Sequence, residues 1–163
     1  MIKIQSIDSE VHFAAVRVLL REYIDSRPND PALLNVEAEF QQLEHHYGPP
    51  KGVMLLAHQD QNPAGCVAFH PLEDGICEMK RLYVSPRFRG SGIGRGLVMT
   101  LLIEAEKAGY QKMRLDSIPS MGAAQELYET IGFYQIPDYR TTPNPGTRYY
   151  EINFKPEPSE VAA

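Results

Sequence analysis

The sequence predicts an α/β (mixed α+β) domain, with a mixed, mostly antiparallel sheet of about seven strands flanked by about four helices. Three observations predict it. Strand-like runs and amphipathic helical stretches alternate in the order β-α-α-β-β-β-α-β-α-β-β. Between Val53 and Val84 strand-like runs follow one another through turns, as antiparallel neighbours do. The strand-like run Glu78–Val84 then passes through a glycine-rich stretch, Arg89-Gly90-Ser91-Gly92-Ile93-Gly94-Arg95-Gly96, into the helix-like run Leu97–Ala108.

Met1–Ile7 alternates as a first strand, and Asp8 or Ser9 caps the helix after it. Val11, Ala15, Val18, Leu19 and Glu22 trace one mostly apolar face of that helix. Asp30-Pro31 restarts the chain as a second helix, with Leu33, Val36, Phe40, Leu43 and Tyr47 as its stripe and Gly48-Pro49-Pro50 as its end. Val53–His58 and Ala64–His70 read as a hairpin around Gln59–Pro63. Pro71–Gly75 turns the chain into Ile76–Val84, the longest strand. The helix after the glycine stretch shows Ile93, Leu97, Val98, Leu101, Leu102 and Ala105 on one face and stops at Gly109. Lys112–Asp116 is a strand. Ser120 caps a helix bearing Ala124, Leu127, Tyr128 and Ile131, ended by Gly132. Phe133–Ile136 and Thr147–Phe154 are the last strands, joined by the proline-containing loop Pro137–Gly146. Residues 1–155 form one domain, and 156–163 a flexible polar tail.

The net charge of −5 gives no electrostatic support for nucleic-acid binding. No charged-then-apolar start and no long apolar span occur, so the expectation is a cytoplasmic protein without membrane contact. Cys66 and Cys77 are too few for a disulfide framework. Buried thiols are expected, with a disulfide between adjacent strands left open. Metal-ligand spacing is absent, and no metal is expected.

Glycine lets a backbone N–H approach a ligand closely, and a helix N-terminus offers unpaired N–H groups and partial positive charge. The stretch 89–96 is therefore an anion site suited to a phosphate or pyrophosphate, with Arg81, Arg87, Arg89 and Arg95 nearby. Neither a P-loop nor a dinucleotide fingerprint fits, because Arg95 and Leu97 stand where glycines are required and no Gly-Lys pair follows. The spacing that fits is Arg-x-x-Gly-x-Gly at Arg89, Gly92 and Gly94.

That pattern, after a strand ending Leu82-Tyr83-Val84-Ser85-Pro86, resembles the acetyl-CoA signature of the GNAT N-acetyltransferase superfamily. Leu127-Tyr128 followed by Gly132-Phe133 resembles the family's later Leu-Tyr-x-x-x-Gly-Phe segment. The motifs cover Glu78 to Ile136, and the rest matches in the order of its elements. The resemblance implies a GNAT fold and transfer of an acetyl group from acetyl-CoA to a primary amine, of a small molecule, by direct attack in a ternary complex. It implies that the amides of Arg89, Gly90, Ser91, Gly92, Ile93, Gly94 and Arg95 hold the pyrophosphate, with charge added by the Arg89 side chain. It gives the backbone of Leu82, Tyr83 and Val84 to the pantetheine arm and the thioester oxygen. It makes Glu78 the general base, with another base or a water chain as the alternative, and Tyr128 the general acid, and it lines the acceptor pocket with the first two helices and the Pro137–Gly146 loop. Glu78 is expected in a partly apolar cleft with its pKa raised toward neutrality; the competing reading is an edge carboxylate that binds the amine or pairs with Lys80 or Arg81. Tyr139, Tyr149 and Tyr150 stay open between pocket, core and surface. One departure stands out. Many members carry an asparagine after the strand that here ends at Asp116, whereas this chain has Ser117-Ile118-Pro119-Ser120-Met121, leaving Ser117 or Ser120 as weak substitutes. A non-catalytic acyl-CoA-binding module, a protein N-terminal or lysine acetyltransferase, and a homodimer all remain open.

Overall fold

The sheet grows from a tight hairpin. β2 (Val53–Gln59) and β3 (Asn62–Glu73) are joined by Asp60 and Gln61 alone, both in the left-handed region (φ 50° and 72°). Two consecutive positive-φ residues give the turn whose twist matches that of antiparallel strands. β3 is longer than its sequence suggests, because Pro71 continues the strand and the next turn is Asp74-Gly75. The structure is a computed structural model and describes residues 1–28, 30, 33, 36–118, 122–140 and 146–154. The Pro31, Ser120 and 156–163 readings lie outside the described residues.

The remaining elements are β1 (Ile2–Ser6), α1 (Glu10–Asp25), α2 (Val36–Gln41), α3 (Leu43–Tyr47), β4 (Ile76–Val84), α4 (Ile93–Lys107), β5 (Lys112–Ser117), α5 (Gly122–Ile131), β6 (Tyr134–Ile136) and β7 (Arg148–Asn153). They build a seven-stranded sheet in the order β1-β2-β3-β4-β5-β7-β6, antiparallel except between β4 and β5. The expected element order holds, with one correction: the helix after Asp30 is two short helices, broken at Gln42 (φ −133°). Segments this short have little stability of their own. Burial of Val36, Phe40, Leu43 and Tyr47 therefore fixes their path.

The sheet separates two apolar layers. On one side Leu55, Val67, Phe69, Cys77 and Met79 pack with Leu97, Leu101 and Tyr128 of α4 and α5. On the other, Leu56, Cys66, Ala68 and Tyr83 pack with Val16, Leu20, Phe40 and Leu43 of α1 to α3. The face of α1 was misread. Phe13, Val16, Leu19 and Leu20 are buried, whereas Val11 and Val18 are 78% and 64% exposed. Both sets have helical spacing, and the face that buries Phe13 removes more apolar area from water. The two cysteines are free, in opposite layers, with burial pushing both thiols up to about 12. No helix among the described residues is long and apolar enough to cross a membrane.

β3 passes close to β4 at Gly65. A Cβ there would sit 2.8 Å from the Tyr83 carbonyl oxygen, 3.2 Å from Leu97 Cδ1 and 3.4 Å from Ile93 Cγ2. Gly65→Ala is expected to lower stability by about 1–3 kcal/mol through overpacking. Urea denaturation with an unchanged midpoint would refute this.

Candidate active site

β4 is the strand on which the site is built. Against β3 it pairs along most of its length, but against β5 only Ile76, Cys77 and Glu78 are in register. Beyond Glu78 the two parallel strands part, and this edge of β4 has no β5 partner. The second peculiarity is a bulge. The register jumps from Ala68↔Lys80 to Cys66↔Tyr83, so Arg81 and Leu82 together face Val67. Arg81 takes φ 63°, rare for a residue with a Cβ, and its guanidinium is clamped by Glu39 of α2 at 2.7 and 2.9 Å.

The bulge reverses the alternation of the strand. Before it, Cys77 and Met79 face the α4–α5 layer. After it, Leu82 and Val84 face that layer, while Tyr83 joins the α1 side. Without the extra residue, every later side chain would point to the wrong face. Tyr83 and Ser85 both donate to Glu22 of α1 (3.1 and 2.9 Å), and Tyr83 stacks on Tyr23 at 5.5 Å.

From Val84 the chain runs through a 3-10 turn, Pro86–Phe88, into the glycine stretch. Gly90 and Gly92 have φ 86° and 87°, and a Cβ at either would meet nothing within 4 Å. The cradle thus opens outward. Gly92 is the N-cap of α4, and Gly96 is the first residue whose N–H reaches it, at 3.0 Å. The amides of Ile93, Gly94 and Arg95 precede the first intrahelical bond and are available to a ligand. No acidic side chain occupies the first turn of α4. Arg89 donates from Nε to the Val84 carbonyl at 2.9 Å, tying the loop to the strand end. Ser91 Oγ donates to the Phe88 carbonyl at 2.8 Å. Of the expected donor-site residues, Leu82 and Val84 are half-buried and Tyr83 and Ile93 are buried, whereas the side chains of Arg89, Ser91 and Arg95 are exposed.

Glu78 lies where β4 and β5 begin to part. It is 1% exposed, and its surroundings reverse the expected pKa. Burial pushes the value up. The His70 hydrogen bond (2.9 Å), Lys80 (3.6 Å), the Arg140 guanidinium and the Tyr139 hydroxyl (2.8 Å) outweigh it and hold the carboxyl at about 2. Of the two pairings considered, Lys80 is present and Arg81 is taken by Glu39. Arg140 also donates from Nε to Asp116 of β5 at 2.7 Å, so one guanidinium bridges the two strands where they part. Sequence reasoning missed His70, Asp116 and Arg140. His70 is the cross-strand neighbour of Glu78, a relation visible only once the register is known. Arg140 lies in the Pro137–Gly146 loop expected at the acceptor pocket, but nothing in the sequence singles it out there.

Tyr128 comes from α5 in the other layer, packed edge-on against Phe133 at 5.7 Å. Burial raises its hydroxyl pKa, and Tyr23 and Asp116, which belong to the opposite side, raise it further. Of the three open tyrosines, Tyr139 binds Glu78, Tyr149 packs edge-on against Tyr139 at 5.0 Å, and Tyr150 turns away to donate to Glu129 at 2.8 Å. Ser117 is buried, and its hydroxyl accepts from Gln125 of α5 at 3.3 Å; Ser120 lies outside the described residues.

Residues 16–133 match the family model described as Acetyltransferase (GNAT) family. The chain belongs to the GNAT acetyltransferase family. An uncharacterized N-acetyltransferase of Schizosaccharomyces pombe is 38% identical over 138 residues, covering 83% of this chain and 85% of that one. A GNAT-family acetyltransferase from Staphylococcus aureus superposes with a TM-score of 0.81 at 20% identity, over 95% of this chain and 100% of that one. A putative acetyltransferase from Salmonella typhimurium, solved with its cofactor acetyl-CoA, gives 0.71 at 19% identity over 96% of both chains. The fold of this chain is thus the GNAT fold.

Proposed function

We propose that this GNAT protein is an acetyl-CoA-dependent N-acetyltransferase acting on a primary amine of a small molecule, by direct attack in a ternary complex. The observation that carries the reading is the opening of β4 from β5 directly before an outward-facing cradle of unpaired helix amides. The cradle suits a pyrophosphate, and the free edge of β4 at Leu82–Val84 suits the amide groups of a pantetheine arm, which adds to it as a strand would. A β4 amide facing the thioester oxygen stabilises the charge that develops there. The Salmonella relative solved with acetyl-CoA supports the same donor for this chain. We place the activity in the cytoplasm.

In the transfer the amine nitrogen bonds to the thioester carbonyl carbon and the carbon–sulfur bond breaks. The departing thiolate needs a proton, which we assign to the Tyr128 hydroxyl. The ammonium must first lose one, and Glu78 is a carboxylate at the start of the gap. Held at about 2 by its donors, Glu78 holds a cation in the free protein, and we assign it the proton once the Arg140 guanidinium has moved away.

Isothermal titration with acetyl-CoA tests the reading directly; no binding at millimolar concentration would end it. Tyr128→Phe is expected to lower kcat by about 100-fold or more, with acetyl-CoA affinity nearly unchanged. Unchanged turnover when chemistry limits the rate would remove Tyr128 as the acid.

A further inference from the structure

We propose that Glu78, Asp116 and Tyr149 form the subsite for the acceptor's primary ammonium, and that the Arg140 guanidinium occupies it as an internal stand-in until the acceptor displaces it. The proposal rests on the acetyltransferase reading above and names the chemistry of its acceptor site.

Three observations meet at this point. Two carboxylates from different strands converge on one cation, Arg140 bonding to both Glu78 and Asp116. The cation is reachable: Arg140 and Asp116 are 37% and 29% exposed, while Glu78 at 1% forms the floor. Independently, Tyr149 is 1% exposed, and its hydroxyl is buried with no hydrogen-bond partner among the described residues. Tyr149 is the cross-strand partner of Asp116, so the two side chains share a face of the sheet. Its hydroxyl feels Asp116, Asp138, Arg140 and Glu78. A buried hydroxyl without a partner is costly and calls for an explanation.

A primary ammonium supplies one. It carries three N–H donors and no acceptor. Two carboxylates and a hydroxyl oxygen on one face offer three acceptors. The planar guanidinium satisfies the carboxylates and leaves the hydroxyl unpartnered. The subsite also lies where β4 and β5 part, so a bound amine is beside the free β4 edge to which the thioester is assigned. Arg140 can leave without baring Glu78, because His70 and Lys80 still face it.

The test needs no acetyl-CoA. Arg140→Ala, with Arg140→Gln as a second variant should the first not fold, is titrated with methylammonium chloride. Thermal unfolding is followed against sodium chloride and tetramethylammonium chloride at equal ionic strength. The variant is expected to bind methylammonium about tenfold or more tighter than the wild type, because the competing internal cation is gone. Tetramethylammonium, which has no N–H, is expected to give no more than sodium. Adding Tyr149→Phe is expected to weaken methylammonium binding about threefold or more, while the ligand-free melting temperature does not fall. Equal responses of wild type and variant, or of the two ammonium ions, would overturn the proposal. So would a preference for carboxylate-bearing amines that vanishes in Arg140→Ala, since Arg140 would then hold the substrate's anion. Failure of acetyl-CoA to bind, with methylammonium selectivity intact, would instead sink the acetyltransferase reading alone.

Discussion

Gly92→Val is expected to weaken acetyl-CoA binding by about 100-fold or more, a loss of about 2.7 kcal/mol. Two effects of different origin combine in it. Gly92 caps α4 at φ 87°, where a residue with a Cβ costs about 1–2 kcal/mol and a β-branched one more. That part appears as lost stability. The second part appears only with ligand. A Cβ at this position meets nothing within 4 Å in the free protein, so the valine branches project into the open cradle where the pyrophosphate is placed. Calorimetric titration reads the second effect and thermal unfolding the first. Gly109→Val serves as a reference, since it has a similar positive φ (97°) and nothing within 4 Å of its Cβ but lies past the far end of α4. A Gly92→Val protein that still folds and binds acetyl-CoA with wild-type affinity would move the phosphate site elsewhere.

What the sequence made legible was local. The stripe Ile93, Leu97, Val98, Leu101, Leu102 and Ala105 needs only the helical period, and all but the half-buried Leu102 are buried. The glycine cradle is legible because positive φ at the helix start selects glycine. The bulge at Arg81 gave no such sign. An arginine in the left-handed region looks like any strand residue until Glu39, 42 residues earlier, is found holding it. Glu78 failed for the same reason. Its position on β4 was readable, but its pKa depends on Tyr139 and Arg140, which return from more than 60 residues away. A carboxylate predicted from its own strand looks apolar and therefore basic. The one in the fold meets four donors. α1 was legible as a helix but not in phase, since Phe13 and Val11 both fit a stripe and only the sheet beneath chooses between them.

Glu78→Gln is expected to act on both stability and rate. In the folded protein the carboxyl is held at about 2, against an ordinary value of 4.5, which corresponds to about 3 kcal/mol. The folded value lies below the unfolded one, so this stabilisation is complete above pH about 4.5 and is lost as pH falls toward 2. Chemical denaturation of the wild type across that window is expected to show the slope, and the glutamine variant to lack it. At neutral pH the variant is expected to be less stable by about the same 3 kcal/mol, since Arg140, Lys80 and His70 then face a neutral amide. Turnover separates structure from chemistry. Because kcat/KM reports the free enzyme, protonation of Glu78 can lower it only toward pH 2. The kcat profile reports the ternary complex. Once an acceptor has displaced Arg140 and its ammonium has given up a proton, Glu78 faces a neutral amine in place of a charged donor while its burial persists, so its pKa rises and the acid limb of kcat moves to higher pH. Glu78→Gln is expected to lower kcat by about 100-fold or more and to abolish that limb. A folded variant that keeps its rate and its acid limb would take proton removal away from Glu78 and give it to a route through water.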